Sequence, residues 1–177
     1  MSQTYTVNNI IYTIDVINAT VVGCDKQPTT ATATATATAT SSNEPTIFNL
    51  TIPSIVNISG INYNVITIGT SAFINRTDIT TITIPDSVTT IGNNAFSGCT
   101  SLISVIMANS VITIGDSAFS GCISLVSLTI PYSVTTIGAN GFLNCSGLTS
   151  IIIPNLNTIV GINSFNGCTS LARFYKI

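Results

Sequence analysis

Ile91-Gly-Asn-Asn-Ala-Phe96-Ser-Gly-Cys99-Thr-Ser-Leu102-Ile-Ser-Val105-Ile-Met107 decides how this chain is read, because 23 residues later it is written again. Ile114-Gly115, Phe119, Cys122, Leu125, Leu128 and Ile130 hold the same places, and Ile137-Gly138, Phe142, Cys145, Leu148, Ile151 and Ile153 hold them once more. Upstream the step lands on Ile68-Gly69, Phe73, Ile79, Ile82 and Ile84. Downstream it lands on Val160-Gly161, Phe165, Cys168, Leu171 and Phe174. Five copies between Ile68 and Lys176, with no insertion, are the signature of a solenoid.

Each copy divides into three pieces. Ile79-Thr-Thr-Ile82-Thr-Ile84-Pro85 alternates with period 2 and predicts a strand, with Ile82 and Ile84 inward and Thr81 and Thr83 outward. Pro85, Pro131 and Pro154 end that strand by removing a donor. Ser87 to Gly92 predicts a short extended run on another wall. In Asn93 to Cys99, Ala95, Phe96 and Cys99 are spaced for one tight helical turn. Stacked coils would place the five phenylalanines in one aromatic column and pair equivalent strands in a parallel sheet. Gly92, Gly98, Gly115 and Gly121 lack the Gly-Lys-Ser/Thr of a phosphate loop and are read as turn residues of unusual φ.

Residues 1–67 read as an N-terminal β cap and a degenerate first coil. Strands are expected on either side of Asn8-Asn9, and Leu50-Thr-Ile-Pro53 and Tyr63 to Ile68 echo the repeat at an irregular interval. A cap shields the first core face from water. Residues 29–45 form a low-complexity Thr/Ala insertion. Its alternation from Thr30 to Thr40 fits a strand, but alanine buries little, so the preferred reading is a flexible loop. A Thr-rich edge strand or a carrier of O-linked sugar is the alternative. Residues 68–177 form the repeat region.

The chain has 177 residues, 45% of them hydrophobic and only 6% charged, with a net charge of −2. Its polar surface must therefore come from Thr, Ser and Asn. No basic stripe is offered to phosphates, which disfavours nucleic acid. Weak net charge favours association between copies. The N-terminus lacks the pattern of a signal peptide, and no apolar run is long enough for a membrane span, so membrane insertion is not expected.

There are five cysteines and no histidine. Cys99, Cys122, Cys145 and Cys168 share one repeat phase, which reads as a buried column, since free cysteine behaves as a small hydrophobe. One thiol per rung makes a poor tetrahedral metal site. Without histidine the commonest general base is missing. Asp78, Asp86 and Asp116 fall at three different repeat phases and form no acid pair. No enzymatic activity, cofactor or metal is expected.

Ile-Gly-x-x-Ala-Phe-x-x-Cys-x-x-Leu-x-x-Ile-x-Ile-Pro-x-Ser-Val resembles the BspA-like class of leucine-rich repeats, closely over Ile68 to Lys176. The resemblance implies a right-handed superhelix with a curved parallel sheet. It also implies a place on microbial or viral surfaces, often as an adhesin or partner-binding surface. Arg76 stands where the first cysteine belongs, and Ala108 replaces a strand-ending proline.

Two outward columns run along the predicted sheet: Thr81, Ser104, Ser127, Ser150, Arg173, and Thr83, Ile106, Thr129, Ile152, Tyr175. Beside them run Asp86, Asn109, Tyr132 and Asn155. The bland reading is a solvated face whose β-branched residues suit strands. The functional reading is a neutral surface for a protein or glycan partner, carried by Thr83, Ile106, Asn109, Thr129, Tyr132, Ile152, Asn155 and Tyr175. Ice or crystal binding is a distant third. Asn18, Asn49, Asn57, Asn75 and Asn144 begin N-glycosylation sequons, a pattern frequent by chance in so Asn-rich a chain. The alternative to a binding module is a structural protein that associates end to end. Phe174, Tyr175 and Ile177 on the last strand, which Lys176 blunts weakly, would form the contact of a homo-oligomer.

Overall fold

The structure is a computed structural model. It describes the backbone of residues 2–7, 10–15, 31–34, 36–39, 48–58 and 61–177, and side chains in 49–55 and 64–177. Among the described residues sixteen strands follow in order, beginning with β1 (Ser2–Val7), β2 (Ile10–Asp15), β3 (Ala31–Thr34), β4 (Thr36–Ala39), β5 (Phe48–Thr51), β6 (Ile55–Ile58), β7 (Ile61–Ile68) and β8 (Ile79–Ile84). The repeats continue with β9 (Thr90–Ile91), β10 (Ser104–Met107), β11 (Thr113–Ile114), β12 (Ser127–Thr129), β13 (Thr136–Ile137), β14 (Ser150–Ile153), β15 (Ile159–Val160) and β16 (Arg173–Lys176).

β1, β2 and β4 form an antiparallel sheet of their own, and the other strands make a parallel-strand solenoid with two β walls. One wall is a continuous seven-stranded sheet in the order β15-β13-β11-β9-β7-β3 with β6 paired to β7. Its two-residue rungs align Ile68, Ile91, Ile114, Ile137 and Val160 in register. The other wall, the strand face, carries the longer strands, and it is divided. β5, β8 and β10 form one sheet and β12, β14 and β16 another. Ahead of the repeats, β5 pairs in parallel with β8, Leu50 against Ile82. The irregular interval is taken up by the antiparallel β6–β7 hairpin.

Between the walls the turns stack. The expected helical turn is replaced by alternating turns. Ala95, Ser97 and Cys99 donate their N–H groups to the carbonyls of Gly92, Asn94 and Phe96 in their own coil. Asn94, Phe96 and Gly98 donate instead to Asp116, Ala118 and Ser120 of the next coil. A helix is excluded because the backbone crosses into the left-handed region twice per coil. Ser71, Asn94, Ser117, Asn140 and Asn163 hold the first such position, and Asn75, Gly98, Gly121, Asn144 and Gly167 the second, all with φ between 53° and 76°. Asn and Gly tolerate this region best, which accounts for the residues the repeat uses there. Gly92 and Gly115 have another reason. Their φ is ordinary, but a Cβ on Gly92 would lie 2.8 Å from the backbone of Ile68 to Thr70, so glycine lets the coils approach.

The core repeats with the coil. Phe73, Phe96, Phe119, Phe142 and Phe165 stack with ring centroids 5.2 to 5.4 Å apart and nearly parallel planes. Phe174 closes the column edge-on against Phe165 at 5.3 Å. Each thiol of Cys99, Cys122, Cys145 and Cys168 donates to a carbonyl one coil back, those of Phe73, Phe96, Phe119 and Phe142, at 3.1 to 3.2 Å. The position therefore calls for a small apolar group with one weak donor, which is cysteine. Arg76 breaks the column by turning to Asp78 in a bidentate pair at 2.8 and 2.7 Å. Those hydrogen bonds hold the Asp78 carboxyl below the usual carboxylate range.

Two strands, β3 and β4, fall in the Thr/Ala tract, where the sequence favours a flexible loop. β3 extends the continuous wall beside β7, and β4 pairs with β2. The extended alternative is the one the backbone adopts. β1 and β2 pair antiparallel across Asn8-Asn9, two residues that lie outside the described ones, as does Asn18.

Candidate functional site

The outward residues of the strand face fall where alternation places them. β8 pairs with β10, setting Thr81 beside Ser104 and Thr83 beside Ile106. β12, β14 and β16 align Ser127, Ser150 and Arg173, and also Thr129, Ile152 and Tyr175. Ile106 is 60% exposed and Tyr132 69%, while Asn109, Thr129 and Tyr175 are exposed and Thr83 and Ile152 half-buried. The division of the sheet separates these residues into two groups. Thr83, Ile106 and Asn109 lie on the first, and Thr129, Tyr132, Ile152 and Tyr175 on the second.

Asn155 does not belong with them. It is only 8% exposed. Its Nδ2 donates to the Tyr132 carbonyl at 2.9 Å, and its Oδ1 accepts the Asn157 N–H at 2.9 Å. The cause is a shift of one residue. The turns at Pro131 and Pro85 close by Val134 N–H to Pro131 O and Val88 N–H to Pro85 O, but the last closes by Thr158 N–H to Asn155 O. Asn155 thus takes the buried place of Pro131 rather than the exposed place of Tyr132, and its amide binds its own backbone.

The division between β10 and β12 can be followed bond by bond. Ile103 N–H reaches back to Thr80, and Val126 N–H still reaches Ile103 at 3.3 Å, so the strands begin together. Among the described residues no ladder joins them beyond that point. At the far end, Ala108 and Ile177 donate to Ile84 and Ile153 one coil back, but the equivalent Pro131 has no N–H to give. Ile130 donates forward to Ile152 at 2.9 Å. Proline alone does not open the sheet, since β12 and β14 pair despite Pro154. The inward pair also differs: Val105 meets Leu128 here, where isoleucine recurs at Ile82 and Ile151. Val105 is 8% exposed and Leu128 4%, whereas Ile82 and Ile151 are fully buried.

The gap is a cleft of about 330 Å³ lined by Ser104, Val105, Ile106, Met107, Asn109, Ser127, Thr129 and Pro131. In a parallel strand alternate residues turn their N–H and C=O to opposite neighbours. Ala108 donates backward, Ile130 donates forward to Ile152, and the Val126 carbonyl accepts from Thr149 of the following coil. By that alternation the backbone groups of Val105, Met107, Ser127 and Thr129 face into the gap. Ser104, Val105, Met107 and Ser127 join the cleft lining beyond the partner-binding residues expected from sequence. The sequence does carry a signal, in Met107-Ala108 where the other close copies have Ile-Pro.

The proposed contact at Phe174, Tyr175 and Ile177 is exposed along β16, but it carries guards. Arg173 and Lys176 on this strand are two of the chain's four basic residues. The Lys176 Nζ is tied to the Thr158 carbonyl at 2.9 Å. Ile159 and Ile162 occupy columns that hold Thr136 and Ala139 one coil earlier, Leu156 takes the exposed place of Tyr132 through the same one-residue shift, and all three are strongly exposed.

Three members of the cysteine column are held protonated, whereas the hydrogen bond with Cys145 lowers the fourth, the half-buried Cys168. Burial pushes the Cys99 thiol up to about 12 and raises Cys122 likewise, and the Cys168 thiol beside it, with burial, raises Cys145. A protonated thiol is neither nucleophile nor metal ligand. Among the described residues no three His, Cys, Asp or Glu side chains gather as a metal site, and no helix is long and apolar enough to cross a membrane. Of the sequons, Asn49, Asn75 and Asn144 are exposed. Asn49 Oδ1 accepts the hydroxyls of Thr80 and Thr81.

Several solved structures share this architecture. A leucine-rich repeat protein of Bacteroides capillosus is 28% identical with a TM-score of 0.63, over 97% of this chain and 96% of its own. A leucine rich cell surface protein of Faecalibacterium prausnitzii is 24% identical with a TM-score of 0.71, over 97% of this chain but 39% of its own. This chain thus spans well under half of that protein. The leucine-rich repeat protein of Treponema pallidum is 24% identical with a TM-score of 0.64, over 76% of this chain and 71% of its own. A search of curated proteins returns no match. The BspA type leucine rich repeat region matches residues 44–175 in 6 copies, taking in β5. With three-quarters of its length so matched, this chain belongs to the BspA-type leucine-rich repeat family.

Proposed function

We propose that the chain is a non-enzymatic binding module that presents its strand face to a protein or glycan partner at a cell surface. The observation that carries this reading is the convergence of Ile106, Asn109 and Thr129 on one cleft lined by no charged side chain. Residues that only solvate a sheet have no reason to meet at a gap. Neutral hydroxyls and amides beside exposed Ile and Tyr suit a recognition surface. The cell-surface description of the F. prausnitzii protein supports the location.

The test is binding of the labelled chain to intact microbial and host cells by flow cytometry. Ile106→Lys with Ile152→Lys should abolish binding, while Ser97→Lys with Ser120→Lys on the turns should not. Protease or periodate treatment of the cells then distinguishes protein from glycan. Loss of binding in the turn variant alone would move the site off the strand face.

A second reading, self-association, is favoured by Leu156, Ile159 and Ile162, where outward columns turn aliphatic in the last coil. Strand-to-strand pairing of two β16 segments is opposed by Arg173 and Lys176, because it would bring four positive charges to one short seam. The aliphatic rim is therefore the better contact than Phe174, Tyr175 and Ile177. Light scattering across concentration tests it: association should vanish with Leu156→Ser, Ile159→Thr and Ile162→Asn together. A native chain that stays monomeric throughout contradicts it.

A further inference from the structure

We infer that the cleft between β10 and β12 is a subsite for a neutral sugar unit. This deepens the strand-face reading and rests on it. The cleft combines three features that such a ligand requires. Its walls carry the hydroxyls of Ser104, Ser127 and Thr129 and the amide of Asn109. The backbone N–H and C=O groups of Val105, Met107, Ser127 and Thr129, left without a ladder, add mixed donors and acceptors. A sugar hydroxyl both donates and accepts, so it can satisfy either kind, whereas an anion satisfies only donors and a cation only acceptors. The floor, from Val105, Met107 and Pro131, is apolar and suits the C–H face of a pyranose ring. Tyr132, next after Pro131, stands exposed at the same strand end and supplies an amphipathic ring of the kind enriched at recognition surfaces.

Charge and shape exclude the competitors. No Asp, Glu, Lys or Arg lines the cleft, so a charged ligand would be desolvated without a counter-ion. An extended peptide inserted as a third strand would require the flanking strands to stand about 9.5 Å apart, twice the usual spacing. Val126 N–H bonding Ile103 at 3.3 Å holds β10 and β12 together at one end, which makes the gap a wedge. A volume of about 330 Å³ lies at the small end of ligand pockets, the scale of a single ring rather than a buried chain.

The experiment is a titration of the isotope-labelled chain, followed by amide NMR, with maltohexaose, cellohexaose, mannohexaose and chitohexaose, and with polygalacturonate as the anionic control. At least one neutral oligosaccharide should shift the amides of Val105, Met107, Ser127 and Thr129. Ser127→Leu, which fills the cleft from an exposed position, should weaken that binding at least about tenfold, about 1.4 kcal/mol, with an unchanged melting temperature. Tyr132→Ala should weaken it in the same direction. No shift with any neutral sugar overturns the inference, as do shifts confined to other residues or binding of polygalacturonate alone. If cells still bind through Ile106 and Ile152 while Ser127→Leu changes nothing, the sugar subsite fails and the strand-face reading stands. If the lysine variants change nothing either, both fail.

Discussion

The two walls of this solenoid obey the same 23-residue period and end differently. The continuous wall closes every rung from β7 to β15, and behind it the phenylalanine and cysteine columns fill identical places coil after coil. The strand face opens once, between β10 and β12, at the copy where Val105, Met107 and Ala108 replace the commoner Ile, Ile and Pro. In a repeat protein each coil is held by its neighbours. Regularity is then what stability requires, and a local departure that leaves backbone groups unpaired calls for a reason beyond stability.

The comparison breaks most severely at the aromatic column. Phe119→Ala removes a fully buried ring from the middle of the stack and should destabilise by ~3–5 kcal/mol in denaturant titration. Phe165→Ala, at a half-buried ring, should cost clearly less. Equal losses would mean that the column is not the continuous core described. Next comes the coil-to-coil approach. A Cβ at Gly115 would collide with the Asn93 N at 2.7 Å, so Gly115→Ala should cost about 1–3 kcal/mol as overpacking does. A neutral result would show that the coils can slide apart.

The cysteine column sharpens the contrast through pH. An unfolded thiol ionises near ~8.5, while burial holds the folded Cys99 up to about 12. Between those values the unfolded chain has released protons that the folded chain keeps, so stability is complete below about pH 8.5 and falls as pH rises toward 12. Thermal melts should show this decline, and Cys122→Ala should make it shallower. A decline unchanged in the variant would assign it elsewhere. The smallest effects belong to the strand face itself. Ser127→Val and Ile106→Thr should each change stability by less than about 0.5 kcal/mol, as exposed substitutions do. A large loss from Ser127→Val would mean that the cleft is part of the core.

The period made the solenoid, the buried phenylalanines and the thiol column legible in the sequence, because each depends on one coil seen many times. The BspA-type match bears out that reading of the family. What stayed hidden depends on how neighbouring coils differ. The helical turn expected at Ala95, Phe96 and Cys99 had the right spacing. It could not show that Asn94 and Gly98 lie at positive φ and send alternate amides to the next coil. Asn155 looked like another Tyr132 by count, but Asn155-Leu-Asn157-Thr158 closes its turn one residue late and buries the amide. The opening beside β12 needed the sum of a missing donor at Pro131 and a mismatched inward pair, neither of which is decisive alone.

Hydrogen–deuterium exchange at four amides tests the central claim most directly. Ser127 and Thr129 face the gap, and Ser150 and Ile152, one coil on, hold the same phases in the closed β12–β14 ladder. With the strand face open between β10 and β12, the amides of Ser127 and Thr129 exchange much faster than those of Ser150 and Ile152, while Gly115 and Gly138 of the continuous wall stay protected. Equal protection of Ser127 and Ser150, and of Thr129 and Ile152, would contradict the account, because it would mean that the sheet is closed and the cleft does not exist.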